Sequence, residues 1–308
     1  MKHRLGLPFL VFFLTLSSTA LANTTWYVDG VNGSDSNNCK THQHACKTIG
    51  HAISLASSGD SILVGAATYT ENLTVGFSLR IVGSGANTTI IDGGGNGRVV
   101  TIPNTSTHVT LSKLTIRNGA FGGNFAFGAG ILNLGTLMIN RSTISGNGAA
   151  VIAFARGGGI LNGGTLTINN STVSGNGVEF SHSSGSGINN GGTATLQNSI
   201  VANNIGAGNC SGTMTSNGYN LSSDRTCNFN NTGDLNNTDP KLGQLGYYGG
   251  ATQTIPLLSG SPAIDAGNPN GCTDSQGHPL KTDQRGKPRP DNEDSGGCDM
   301  GAYERQKD

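Results

Sequence analysis

Charge is scarce in this chain. Asp, Glu, Lys and Arg make up 12% of its 308 residues, against about a quarter in an ordinary soluble domain. The formal net charge is +0, so no broad attraction to nucleic acid or to an anionic membrane is expected. Acids are scarcer still in the middle, where Glu179 stands alone between Gly93 and Ser223 against Arg98, Lys113, Arg117, Arg141 and Arg156. That shortage bears on chemistry. Proton abstraction beside a sugar carboxylate needs a base and a cation, usually calcium held by several carboxylates, and glycoside hydrolysis needs two carboxyl groups at a set separation. The middle section offers neither set. Long apolar runs are also missing after Leu16, which leaves no stretch of about 20 apolar residues to span a membrane.

The run that ends at Leu16 follows "MKHR" and precedes "SSTALA". Basic, apolar and A-x-A regions in that order read as a secretory signal peptide over residues 1–22, cleaved after Ala22. An uncleaved anchor is the alternative, but Gly6 and Pro8 interrupt a run already short for a spanning helix. The mature chain is expected to be secreted or held at the cell surface, with no transmembrane helix.

What the chain has instead is glycine, 49 residues of it, with Asn, Thr and Ser. Such composition is compatible with disorder, but regularly spaced Ile, Leu and Val supply the apolar area that disordered chains lack. The spacing belongs to an internal repeat. "GAGILNLGTLMINRSTISGNG" begins at Gly128, "GGGILNGGTLTINNSTVSGNG" at Gly157 and "GSGINNGGTATLQNSIVANN" at Gly185. A fainter copy, "TLSKLTIRNG", begins at Thr110. Within each unit the apolar residues alternate, as in Leu137 and Ile139 or Leu166 and Ile168, then resume after "NR" or "NN" at Ile144 and Val173. Period two is strand spacing. A third short strand carries Ile131, Ile160 and Ile188. Three strands and three turns in 28 to 29 residues predict an all-β fold, a right-handed parallel β-helix whose rungs stack about 4.8 Å apart.

Stacking at this period superposes identical residues. Asn133, Asn162 and Asn190 are expected to form one structural ladder, and Asn147, Asn176 and Asn204 another, each amide donating to one neighbouring copy and accepting from the other. The polar repeat is thus scaffolding rather than a site. Glycines beside the ladders permit the positive φ of sharp turns. "CKTIGHAISLASSGDSILV" predicts a short capping helix over Lys47–Ala56, with His51 a surface or capping residue. The division expected is a cap and first strands over 23–76, rungs over 77–217, and a separate C-terminal region over 218–308.

Six cysteines in an exported chain read as disulfides, of which six allow 15 pairings. Sequence proximity favours Cys39 with Cys46, Cys210 with Cys227, and Cys272 with Cys298, pinning the end regions. A zinc site at "CKTHQHAC" is the lesser alternative, and no metal site is expected.

The stretch from "GYNLSSDRTC" through "DPKLGQLGYYGGATQTIPLLSGSPAIDAG" to "DQRGKPRP" and "CDMGAYE" resembles the choice-of-anchor Q domain of bacterial exported proteins. The beginning, from "WYVDGVNGSDSNNC" to "ATYTENLTV", is similar to the first segment of pectin-lyase-like right-handed β-helices. Rungs of the "GGGI…STVSGN" form resemble polymorphic outer-membrane protein repeats more loosely, since they lack Phe. The first resemblance implies a secreted or surface protein. No sortase motif or apolar helix follows "GAYERQKD", so release, or an anchor supplied by a partner, is expected. Asp265, Asp283, Arg285, Arg289, Asp299 and Glu304 match that family's motif positions and are read as ion pairs and turn hydrogen bonds closing the helix.

The second resemblance raises an enzyme, a polysaccharide lyase or hydrolase on acidic glycans, with calcium as its cofactor. Asp60, Glu71 and Asp92 near the first rungs and Asp224, Asp234 and Asp239 near the last are the acids available to it, but Asp is also an ordinary turn residue. The reading favoured is a protein without catalysis or cofactor, acting in adhesion or glycan binding toward a polysaccharide or surface protein. Arg117, Arg141 and Arg156 are its candidate contacts to acidic ligands, and Thr110, Met138, Thr167 and Thr195 form one outward file. Ice binding, suggested by "TLT" at Thr165 and "TAT" at Thr193, is a minor alternative that Met138 interrupts. Sequons at Asn72, Asn87, Asn104, Asn140 and Asn220 are assigned no role. "AFGGNFAFGAG" at Ala120 and "AAVIAFARGGG" at Ala149 read as long loops whose Phe121, Phe125, Phe127 and Phe154 fold back over the core.

Overall fold

The computed structural model describes residues 23–83, 89–178, 183–250, 252–274, 277–291 and 297–307, with the backbone alone at 121–126 and 149–154. The signal segment, Asn87 and Glu179 lie outside the described residues, as do the side chains of Phe121, Phe125 and Phe154. The chain winds into a parallel β-helix. An eight-stranded sheet starts at Thr25–Val28 and ends at Thr215–Ser216, a seven-stranded sheet runs from Ala67–Thr70 to Leu221–Ser222, and a six-stranded sheet from Leu73–Thr74 to Cys210–Ser211. Alternation sets the facing. Leu137 and Ile139 lie in register with Leu166 and Ile168, then with Ala194 and Leu196, and all six are at most 2% exposed. Each fully buried Leu or Ile contributes roughly 1.5–3 kcal/mol.

Two differences from the sequence reading matter. The segments read as long loops are strands: Ala120–Phe127 pairs in parallel with Gly148–Arg156, which pairs with Gly177–Val178 and then Ile205–Gly206. These runs of Gly, Ala and Phe lack the alternation that marks a strand, yet stacking each rung on the next gives their backbone groups partners. Phe127 is 37% exposed and does not fold back over the core.

The C-terminal region, secondly, is divided. Its Cys227 and Phe229 join Met214 in the core of the rungs, while residues beyond Thr252, which hold the motif residues, return along the side as a strap over the seven-stranded sheet. Its outward residues Thr115, Thr143, Thr172 and Ile200 are at most 1% exposed as a result. Gln284 accepts from Thr143 Oγ1 at 2.6 Å, the Ala302 amide donates to Thr172 Oγ1 at 3.1 Å, and Thr115 Oγ1 donates to the Gln253 carbonyl. Leu257, Ala263 and Met300 of the strap share a second apolar cluster with Ile200, Ala202 and Leu221.

The capping helix is Ile49–Leu55, shorter than expected. Thr48 caps it, and the Glu71 carboxylate accepts from the Ile49 and Gly50 amides at 2.9 and 2.7 Å. Disulfides join Cys39 to Cys46, Cys210 to Cys227 and Cys272 to Cys298. Bonded to each other, Cys39 and Cys46 near His51 are not thiolate ligands for zinc. Cys272 accepts a contact from Asn198 Nδ2 at 3.0 Å, so its bridge lies on the flank of the rungs rather than at an end.

Candidate functional site

The ladders occupy the corners. Asn133 Nδ2 donates to Asn162 Oδ1, and Asn162 Nδ2 to Asn190 Oδ1, each at 2.7 Å. On another corner Asn147 donates to Asn176, Asn176 to Asn204, and Asn204 onward to Asn209, at 2.9–3.0 Å. These amides have their partners and offer little to a ligand.

A third corner differs from rung to rung. Between the eight- and seven-stranded sheets, Lys113, Arg141, Asn170 and Asn198 each hold a left-handed backbone, with φ of 56, 46, 48 and 48°. Asn tolerates that conformation; other L-residues pay roughly 1–2 kcal/mol for it. Asn198 Nδ2 donates to Asn170 Oδ1 at 3.0 Å, a short ladder that stops where Arg141 and Lys113 replace Asn. Strain of this kind collects at functional sites. Here the exchange places two cations at the rim of the outer face of the eight-stranded sheet.

On that face a groove of about 240 Å³ is lined by Arg80, Val82, Thr110, Ser112, Lys113, Met138, Asn140 and Arg141, with Asp274 of the strap opposite. Arg80, Lys113 and Arg141 come from three successive strands or their ends. The charged ends of Arg80 and Lys113 have no hydrogen bond or ion pair among the described residues, although the Asp283 charge of the strap acts on Lys113. Arg141 Nη1 reaches Thr282 Oγ1 and O at 3.3 and 3.4 Å, and its buried Nε has no partner among the described residues. Burial, then the Arg141 charge, hold the Lys113 ammonium below its usual pKa, and burial, then the Arg289 charge, do the same to Arg141. The groove therefore favours an anion, which would relieve the crowding of like charge.

Of the three arginines expected to meet an acidic ligand, the groove contains Arg141. Arg117 lies under the strap instead, between Asp92 Oδ2 at 2.8 Å and Gln253 Oε1 at 2.5 Å. Arg156 ends a strand of the fourth sheet. Arg80 and Lys113 were missed, although the repeat carried the signal: Lys113 stands 28 residues before Arg141 at the same corner, and Arg80 pairs with Thr110 of the outward file.

The scattered acids stay apart. Asp60 accepts from Trp26 Nε1 and the Thr24 and Ser57 amides, Glu71 caps the helix, and Asp92 pairs with Arg117. Asp224 accepts from Thr226 and the Asn209 amide, Asp234 from the Asn220 and Asn231 amides, and Asp239 from the Lys241 amide. None of them lines the groove. A second cavity of about 440 Å³ opens at the first rungs between Leu63, His42 and Val31. Its one acid, Asp29, is already bound by the Val31 and Asn32 amides.

The C-terminal motif residues gather in the strap. Arg285 pairs with Asp283 at 2.7 Å and Arg289 with Glu304 at 2.5 Å. Asp299 Oδ1 accepts from the amide of Asp265, itself exposed and in a left-handed turn at φ 52°.

No family model matches the sequence, and no curated protein sequence matches it. Among solved structures the chain is similar to a pectin methylesterase mutant in complex with a hexasaccharide, at 16% identity and a TM-score of 0.36, over 66% of this chain and 62% of that one. It is also similar to the pectate lyase Pel9A, at 14% identity and a TM-score of 0.38, over 93% of this chain and 98% of that one.

Proposed function

We propose that this chain is exported and binds an acidic glycan along the outer face of its eight-stranded sheet, as a secreted or surface interaction protein without catalysis. The observation that carries the reading is the groove: cations on three successive rungs, two of them without a hydrogen bond or ion pair among the described residues, and one lining acid among those residues, Asp274. Rungs stack about 4.8 Å apart, a repeat that suits an extended polymer carrying regularly spaced carboxylates. Export is supported by the signal-peptide pattern of residues 1–22 and by three disulfides, which persist in oxidising compartments. The choice-of-anchor Q-like motifs support a place at the cell surface.

A lyase is the second reading, and Lys113 favours it. An amine held below its usual pKa beside an anion-binding groove has the character of a general base. The groove lacks the several carboxylates of a calcium cage, so such a reaction would rely on Arg80 and Arg141 to neutralise the substrate carboxylate. One experiment separates the two. The mature protein is titrated with polygalacturonate and with a neutral glucan, with calcium and with EDTA, while unsaturated products and new reducing ends are followed. Saturable, salt-sensitive binding to the acidic polymer without turnover is expected; unsaturated products would establish the lyase, and equal affinity for the neutral glucan would remove the groove from the argument.

A further inference from the structure

The strap buries more negative than positive charge. Asp283, Arg285, Arg289, Asp299 and Glu304 are each at most 4% exposed. Two of the acids have guanidinium partners, Asp283 with Arg285 and Glu304 with Arg289. Asp299 has no ion pair among the described residues: its oxygens accept from the Asp265 and Arg305 amides at 2.9 and 2.6 Å, and the Arg289 charge acts on it without a hydrogen bond to its carboxylate. Glu304 Oε2 accepts from the Asp299 amide at 3.1 Å, which ties the two acidic residues together, and Glu304 Oε1 is buried with no donor among the described residues. Within the strap three buried carboxylates share two arginines, and neither Arg289 Nη1 nor Glu304 Oε1 finds a partner among the described residues; a buried carboxylate in excess of its local cations is relieved by protonation.

We propose that Asp299 and Glu304 hold one proton between them, and that this proton makes the C-terminal strap an acid-stabilised latch on the seven-stranded sheet. The strap reaches the rungs through Gln284 on Thr143, the Ala302 amide on Thr172, Gln253 on Arg117 and Thr282 on Arg141; none of these contacts involves Asp299 or Glu304, so their proton acts on the grip through the strap's own interior. The groups facing the shared proton are Arg289 and Asp283 within the cluster. Arg285 is turned to Asp283, the Glu304 carbonyl and the Tyr303 ring. Arg305 donates to the Leu257 carbonyl at 3.1 Å. From the rungs, Arg141 acts on Arg289 and Asp283, and Lys113 on Asp283. Burial, then the Glu304 charge, push Asp299 up to about 8, and burial pushes Glu304 up as well.

The sign follows. A carboxyl that keeps its proton in the closed strap but ionises near 3.8 when released stabilises closure fully below that lower value. The advantage is lost as pH rises toward about 8, where opening exposes the Thr115, Thr143 and Thr172 face. Each held proton raises the opening constant by as much as about tenfold per pH unit across that window.

Hydrogen exchange on the disulfide-intact chain tests this, with rates corrected for the intrinsic pH dependence of exchange. Peptides from 252–274 and 297–307 should lose protection steadily between about pH 5 and about pH 8, while rung peptides from 160–174 hold theirs. Asp299→Asn, neutral at every pH, should flatten the strap profile. Should that variant not fold, infrared spectroscopy of the native chain should show a protonated carboxyl persisting above pH 6 and vanishing near 8. Strap protection that does not change with pH, a profile that survives Asp299→Asn, or carboxyl bands that all titrate below pH 5 would each overturn the latch.

Discussion

Asn176 shows how much one amide carries. Fully buried, it donates to Asn204 Oδ1 and to the Ile144 carbonyl, both at 3.0 Å, and accepts from the Asn147 amide and side chain at 3.2 and 3.0 Å. Asn176→Ala leaves the buried Asn147 amide without its acceptor, at about 1–3 kcal/mol, while Asn204 Oδ1 keeps the Asn176 amide and Asn147 Nδ2 keeps the Ile116 and Ser145 carbonyls. A loss of about 2 kcal/mol in urea-induced unfolding is therefore expected. Lys113 presents the opposite case. It holds φ 56° where the later rungs carry Asn170 and Asn198, so Lys113→Asn should stabilise the chain by about 0.5–1 kcal/mol while weakening its hold on an acidic polymer. Unfolding and binding measured on one preparation check both halves, and a variant that loses stability and binding together would show Lys113 to be structural.

At the scale of elements, strap and sheet meet through groups whose pH dependences oppose each other. Burial alone would raise the Asp92 carboxyl, but hydrogen bonds from the Gly94 amide, Asn118 and Arg117 outweigh it and hold it below its usual value. A depressed carboxylate stabilises the fold above its unfolded value of 3.8, and that stability disappears as pH falls through the folded value. Arg117, released from Asp92, would no longer be aimed at Gln253 of the strap. Asp92→Asn should thus lower stability at about pH 6 and leave a shallower acid limb down to about pH 3, read from urea midpoints across that range. With Asp299 acting in the other direction, the strap should hold best near the released value of 3.8 that the two carboxyls share. None of this was legible in the sequence. Gln284 lies 141 residues from Thr143, and the segment between repeats no pattern that would mark its partner.

Over the whole molecule, legibility follows the repeat. The inward columns at Leu137 and Ile139 and the Asn corners could be read because each recurs at 28 or 29 residues with its chemistry unchanged. The groove was obscured for the opposite reason: Arg80, Lys113 and Arg141 are departures from the repeat, which periodicity treats as noise. The first rung exposes a further consequence of solenoid construction, an unpaired edge. Strand Thr25–Val28 is covered by the loop that Cys39–Cys46 closes: Tyr27 N donates to the Cys39 carbonyl at 2.9 Å, Cys46 N to the Tyr27 carbonyl at 2.9 Å, and Asp29 N to the Cys46 carbonyl at 2.8 Å. Replacing both cysteines by serine removes about 2 kcal/mol of loop constraint and leaves those edge groups to find other partners. Concentration-dependent self-association of the double variant is expected in sedimentation and light scattering, with the native chain unchanged. If the double variant stays at the native chain's size while its stability falls, the bridge secures the loop but the edge has protection of its own, and the capping helix Ile49–Leu55, packed beside the same strand, becomes the element to remove next.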